Sequence, residues 1–377
     1  LSVSPGSQPI MMELTRTGVL TDLMASGATI RTAFCGPCFG AGDVPANGAL
    51  SIRHTTRNFP SREGSKPGSG QLAGVALMDA RSIAATTANG GILTPATDID
   101  YDPTVPEYQY DASSYDTRVY QGFGKGDYDA LLKLGPNIKD WPEIAPLGNN
   151  LLLKVASYIT DPVTTTDELI PSGETSSLRS NPLKLSEFTL SRKDPAYVGR
   201  AKDVQAMEKA RLADPADAAL LAKLEGMLAP LKAAQPEVYA AVLGAGLKDT
   251  GIGSTIFALK PGDGSAREQA ASCQRVLGGC ANICLEFATK RYRSNCVNWG
   301  ILPFTVESGL GVSVGDFIYV PDVRSKVENG DEAFAAKLVS GEKKRDITLY
   351  LKNTTAEERE LLLTGCLMNH YAAQNRE

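Results

Sequence analysis

A change of composition near residue 99 does most to limit how this 377-residue chain can fold. From about 99 to 145 the sequence carries six of its thirteen tyrosines, with Asp, Pro and Gly between them and little hydrophobic periodicity. An aperiodic stretch offers no continuous apolar face, so the flanking regions are expected to build separate cores. The stretch itself reads as an extended surface linker whose aromatic rings serve as contact points. Domains of roughly 150 residues would allow two or three in this length. The expected division is an α/β domain over 1–98, a linker over 99–145 and a second domain over 146–377.

In the first region Met11 to Ser26 has helical spacing, Thr29 to Phe34 reads as a short strand and Ala73 to Ala88 as another helix. Such alternation predicts an α/β layer structure. The second region opens with the apolar run Leu151 to Ile159, a buried strand. Residues 200–243 read as a helical insertion: Asp214-Pro215 supplies an N-cap and a first-turn proline, and Leu220, Leu221, Leu224, Met227 and Leu228 form one apolar face. Ser254 to Lys260 is the next strand. It runs into a loop at Pro261 to Gly264, a helix from about Arg267, a stop at Gly278-Gly279 and an alternating segment from Cys280 to Phe287.

Composition removes several classes of function. With 38 basic and 43 acidic side chains the net charge is -5, which does not advertise nucleic-acid binding. An anionic ligand would have to be attracted by local arginines. No apolar run reaches the roughly 18 residues needed to span a bilayer, and no signal peptide is visible. Seven cysteines in such a chain do not read as a disulfide framework, and a reducing, cytoplasmic setting is expected.

Chemistry concentrates in Cys35-Gly36-Pro37-Cys38 and, about twenty residues on, Arg57-Asn58-Phe59-Pro60-Ser61-Arg62. Two cysteines three apart on a Gly-Pro turn can point both sulfurs at one metal centre, and two arginines five apart offer bidentate forks for carboxylates. Zinc sites and thiol redox centres use the same cysteine spacing. A structural zinc site wants a second ligand pair, yet His54 and His370 are the only histidines and neither lies in such a motif. A thioredoxin-like motif should open a helix, whereas Phe39 to Gly48 is loop material. The remaining cysteines, Cys273, Cys280, Cys284, Cys296 and Cys366, read as small buried residues. In the second region the glycines around Asp263 let backbone approach a ligand, and the following helix N-terminus adds free N–H groups and a positive dipole. Taken alone, Ser265 there reads as an N-cap, Asp167 as a cap of a helix or turn, and a lone arginine as a surface salt-bridge partner.

These motifs together resemble the aconitase family. Cys35-Gly36-Pro37-Cys38 resembles the loop that supplies two ligands of its 4Fe-4S cluster, and Arg57 to Arg62 its substrate-binding Arg-Asn-Phe-x-x-Arg. Ser4-Pro5-Gly6-Ser7, Asn89-Gly90-Gly91, Thr165-Thr166-Asp167, Gly262 to Glu268, Arg275 to Gly279 and Gly300 to Pro303 follow in the family's order. The resemblance implies a three-layer α/β aconitase-like domain followed by a swivelling β/β/α domain, and an iron-sulfur-dependent hydro-lyase of a hydroxy di- or tricarboxylic acid. It assigns Ser265 as the base, with Asp167 holding a catalytic water or orienting an arginine. Arg57, Arg62, Arg267 and, from its spacing after Asp167, Arg179 would bind substrate carboxylates. Cys35 and Cys38 would be two cluster ligands, the third lying outside this chain. The chain, which does not begin with Met, is then expected to be the C-terminal part of a longer protein, with the N-terminal half as its partner.

Three departures bear on the substrate. Glu168 replaces the histidine of Thr-Thr-Asp-His, Ala266 replaces the second serine of Ser-Ser-Arg, and Thr56 replaces an asparagine before the first arginine. Lost hydrogen-bond partners in a polar pocket change which substrate is accepted, so a divergent hydratase is expected rather than citrate aconitase itself. Isomerisation of a homologous acid such as homocitrate, methylcitrate or isopropylmalate is a second enzymatic reading. An RNA-binding or regulatory module derived from such an enzyme is a third, which the net charge disfavours.

Overall fold

The structure, a computed structural model, describes residues 1–34, 42–54, 63–65, 70–243, 247–341 and 343–374. Cys35, Cys38, Arg57 and Arg62 therefore lie outside the described residues. The chain divides into two compact units, Leu1–Ala130 and Leu131–Glu377.

In the first unit β1 (Ser2–Val3) and β2 (Thr29–Ile30) pair in parallel across α1 (Gln8–Arg16) and α2 (Val19–Ala25). The single helix expected over Met11 to Ser26 is two helices. Gly18, at φ 83°, takes a left-handed conformation that ends the first and starts the second. Next come β3 (Leu50–Arg53) and β4 (Gly74–Leu77), also parallel, then α3 (Ala80–Ala88) and the short α4 (Ser113–Arg118). The helix expected from Ala73 begins only at Ala80. Residues 74–77 form the strand, and Asp79 caps α3 by accepting from the Arg81 and Ser82 amides at 3.0 and 3.1 Å.

In the second unit the last residues of the stretch read as linker, 139–145, are fastened down. The Lys139 amide donates to the Ser180 carbonyl at 2.9 Å, Trp141 packs on Trp299 with ring centroids 4.5 Å apart, and Arg275 donates to the Ala145 carbonyl at 3.1 Å. Then follow β5 (Asn150–Ile159), β6 (Thr164–Thr165), α5 (Thr166–Leu169), α6 (Pro182–Ser186) and the helices α7 (Tyr197–Ala213), α8 (Ala218–Ala234) and α9 (Pro236–Leu243). Asp214 does not cap α8. It accepts from the Ala216 amide in the turn after α7, and Asp217 takes the cap by accepting from Leu220 at 2.8 Å. The apolar stripe behaves as expected: Leu220, Leu224 and Leu228 are buried with Val204 and Met207 against the outer face of the sheet at Leu152, Ile252 and Tyr319.

The chain continues through β7 (Thr250–Ala258), β8 (Pro261–Asp263), α10 (Arg267–Val276), β9 (Gly279–Cys284), α11 (Lys290–Asn298) and β10 (Leu302–Thr305). It ends with β11 (Phe317–Val320), α12 (Val323–Asn329), β12 (Ala333–Ser340), β13 (Lys343–Tyr350), α13 (Ala356–Thr364) and α14 (Leu367–Gln374). Seven strands close into a barrel in the order β10-β13-β12-β11-β5-β7-β9. β5, β7, β9 and β10 run parallel with helical crossovers, and β11 to β13 complete the barrel antiparallel. The fold is thus mixed α/β. β7 is buried along its whole length, as a parallel strand covered on both faces must be. Phe257 turns into the barrel core with Leu153, Ile318 and Phe334, while Ile256 and Ala258 turn outward under α10 and α11.

Candidate active site

The site is built where two loops leave the carboxyl ends of β5 and β7. Thr164 and Thr165 pair in parallel with Pro261 and Asp263, so the Thr165-Thr166-Asp167 and Gly262-Asp263-Gly264-Ser265 segments lie side by side. Their join is specific. The Ala266 amide, at the start of α10, donates to the buried Thr166 hydroxyl oxygen at 3.3 Å. The N-cap position is Ala266, one residue after Ser265, so Thr166 from the other loop serves an amide that an N-capping side chain would usually leave to its own helix.

Two glycines shape the loop. Gly262 has φ 96°, and a Cβ there would come within 2.2 Å of the Tyr292 ring. Gly264 has φ 122°, and a Cβ would come within 2.3 Å of the Thr166 oxygen that holds the two loops together. Both are positions where only glycine fits. Tyr292 is itself fixed: its hydroxyl donates to Asn282 at 3.1 Å and accepts from Gln274 at 2.9 Å, in a buried triangle closed by Asn282 donating to Gln274 at 3.0 Å. The Thr289 hydroxyl donates to the Gly262 carbonyl at 3.1 Å. The loop that presents Ser265 is therefore set from both sides.

Ser265 is exposed and lines a depression of about 370 Å³ with Arg267, Glu268, Lys290, Arg291, Ser294 and Asn295. Glu268 accepts from the Trp299 indole N–H at 3.1 Å. The walls are the first turns of α10 and α11, where the unsatisfied N–H groups and the helix dipoles favour an anion.

Asp167 lies beside this loop and pairs with Arg192 at 2.7 Å; Arg192 also pairs with Glu174. Glu174 first, then Asp167, raise the guanidinium pKa further. Arg192 lies outside every motif of the sequence. Glu168 serves the local backbone, completing a capping box with Thr165: the Thr165 amide donates to it at 2.7 Å while the Glu168 amide donates to the Thr165 hydroxyl at 3.2 Å. It also pairs with Lys193 at 3.4 Å. Arg179 sits exposed at the end of the turn Ser176–Leu178, and among the described residues no hydrogen bond or ion pair holds it. Ser265 and Arg267 are brought together in one pocket, whereas Asp167 is not among the residues that line it.

No three His, Cys, Asp or Glu side chains among the described residues converge as a metal site. Cys273, Cys284, Cys296 and Cys366 are buried. Burial pushes the Cys296 thiol up to about 12, and those of Cys273, Cys280 and Cys284 move in the same direction.

Comparison with known proteins agrees with the motif order. Residues 1–85 match the model of the Aconitase family (aconitate hydratase). Over 98% of the chain it is 24% identical to a putative mitochondrial aconitate hydratase of Emericella nidulans, of which it covers 46%. It is 36% identical over 96 residues to the homoaconitase large subunit of Thermus thermophilus, covering 25% of this chain and 22% of that protein. Over 82 residues it is 35% identical to the 3-isopropylmalate dehydratase large subunit of Clostridium beijerinckii, covering 22% of this chain and 20% of that one. The chain therefore spans about half the length of the fungal relative and a fifth of the bacterial ones. A crystal structure of 3-isopropylmalate dehydratase from Methanocaldococcus jannaschii aligns over 58% of this chain and 93% of its own at 20% identity, with a TM-score of 0.33, too low to carry an argument. The chain is thus similar to aconitase-family proteins, with the family match itself lying in residues 1–85. Among its described residues no helix is long and apolar enough to cross a membrane.

Proposed function

We propose that this chain carries the base and part of the carboxylate-binding surface of an aconitase-type hydro-lyase acting on a hydroxy di- or tricarboxylic acid. The observation that supports this most is the pocket shared by Ser265 and Arg267, held by the Thr166 clasp to the loop of Asp167. In the reaction the Ser265 oxygen takes a proton from one carbon, the C–H electron pair forms the double bond, and the hydroxyl on the neighbouring carbon leaves. Rehydration reverses these steps. A serine is a weak base unless its alkoxide is stabilised, and the α10 N-terminus and the Arg267 charge are available for that. Arg267, with Arg57, Arg62 and Arg179, would hold the carboxylates, and Asp167 would act through Arg192. An iron-sulfur cluster bound through Cys35, Cys38 and a third thiolate outside this chain would supply the Lewis acid for the departing hydroxyl.

The test is anaerobic reconstitution of the complete protein with iron and sulfide, followed by a screen of 2- and 3-hydroxy polycarboxylates. Ser265→Ala should abolish the activity found, and Cys35→Ser or Cys38→Ser should abolish the brown absorbance of the cluster. A full cluster in the Cys38→Ser variant would remove the assignment of that ligand.

A further inference from the structure

The only two tryptophans of the chain, Trp141 and Trp299, pack on each other one hydrogen bond away from the Ser265 pocket. Trp299 follows α11 directly and is buried, and its indole N–H donates to Glu268, which lines the pocket. Trp141 is held in its turn, because two residues earlier the Lys139 amide donates to the Ser180 carbonyl, next to Arg179. A run of contacts thus leads from residues 139–141 through two packed indoles to a carboxylate on the pocket wall. Glu268 shares that wall with Lys290 and Arg291, either of which would offer a carboxylate a charged partner. Among the described residues it pairs with no cation and takes the neutral indole N–H instead. An indole N–H donates without carrying a charge, and the ring packed against it fixes the direction in which it donates.

Resting on the proposed function, we infer that Trp299 is a positioning residue of the site. It keeps the Glu268 carboxylate from competing with a substrate carboxylate for the cations of the pocket, and Trp141 holds the indole that does so. A carboxylate released into a pocket that binds carboxylates would occupy the ligand's own partners. Trp141 never enters the pocket, yet the site depends on it.

The test is a double-mutant cycle, read by calorimetric titration of the 377-residue chain with propane-1,2,3-tricarboxylate at low ionic strength. Trp299→Phe keeps an aromatic ring in place and removes the N–H. It should weaken binding about tenfold, as expected for a hydrogen bond to a charged group, and adding Glu268→Gln should restore the wild-type affinity. Glu268→Gln alone should stay within about threefold of wild type, because the carboxamide oxygen still accepts from the indole. Trp141→Leu should weaken binding in the same direction and be rescued by the same exchange. With circular dichroism as the folding control, this variant of a half-buried residue carries the test if Trp299→Phe does not fold. A tryptophan that only packs would not be rescued by removing a charge from Glu268. Wild-type affinity in the folded tryptophan variants, or a Glu268→Gln effect that is the same in every background, overturns the inference while the proposed function stands. If the wild type does not bind the tricarboxylate, the carboxylate pocket itself is refuted and the inference falls with it.

Discussion

At the scale of single residues, everything turns on what surrounds an ordinary serine. Ser265 gains its proposed role from the α10 N-terminus, from Arg267 and from a loop that Gly262 and Gly264 allow to close on Tyr292 and Thr166. In the reconstituted enzyme Arg267→Lys should raise KM more than it lowers kcat, since an ammonium replaces a bidentate fork without removing the charge. Steady-state kinetics on the best substrate of the screen would check this, and an unchanged KM would exclude Arg267 from the substrate. Asp167, Ser265 and Arg267 are legible in the sequence because they lie in motifs. Arg192, Lys290 and Arg291 are not, because each is defined by a neighbour distant in sequence: Arg192 by Asp167, and the α11 pair by the start of α10.

Elements are legible where a strong period or a stop residue marks them. Leu151 to Ile159 and the helix after Ser265 follow the pattern closely, whereas Ala73 to Ala88 does not reveal its strand. Gly74–Leu77 is too short for its period to show beside a nine-residue helix. The capping box of α5 also accounts for Glu168 without any role in substrate binding. Thr165→Ala should therefore lower stability by about 1 kcal/mol through loss of the cap, seen as a lower denaturation midpoint in urea with unchanged slope. Gly262→Ala should do more: a left-handed φ and a Cβ 2.2 Å from the Tyr292 ring force the loop to move. The expected outcome is loss of both activity and melting temperature, and a variant with the wild-type melting temperature would mean that the loop does not depend on this approach.

At the scale of the molecule, the linker and the barrel predict different behaviour. Phe123, Tyr128 and Leu132 are 100%, 101% and 97% exposed, while residues 139–147 are held on the second unit. Limited proteolysis should cut first within 101–138, and early cuts inside the barrel with that stretch intact would contradict the division. The barrel also sets the response to alkali. Cys296 is raised from the ordinary thiol value of 9.0 to about 12 by burial, and Cys273, Cys284 and Tyr197 shift the same way. The folded chain keeps protons that the unfolded chain releases, so this stability is fully present below pH 9.0 and is lost as pH rises from there toward about 12. Melting temperature should fall steadily above about pH 9, and a flat profile would mean that these thiols are not shielded. The central claim, that Ser265 is the base of a hydro-lyase, is tested most directly by comparing turnover of wild type and Ser265→Ala in the reconstituted complete protein. We predict a loss of about a thousandfold or more in kcat with substrate affinity nearly unchanged, and wild-type turnover in the variant would contradict it.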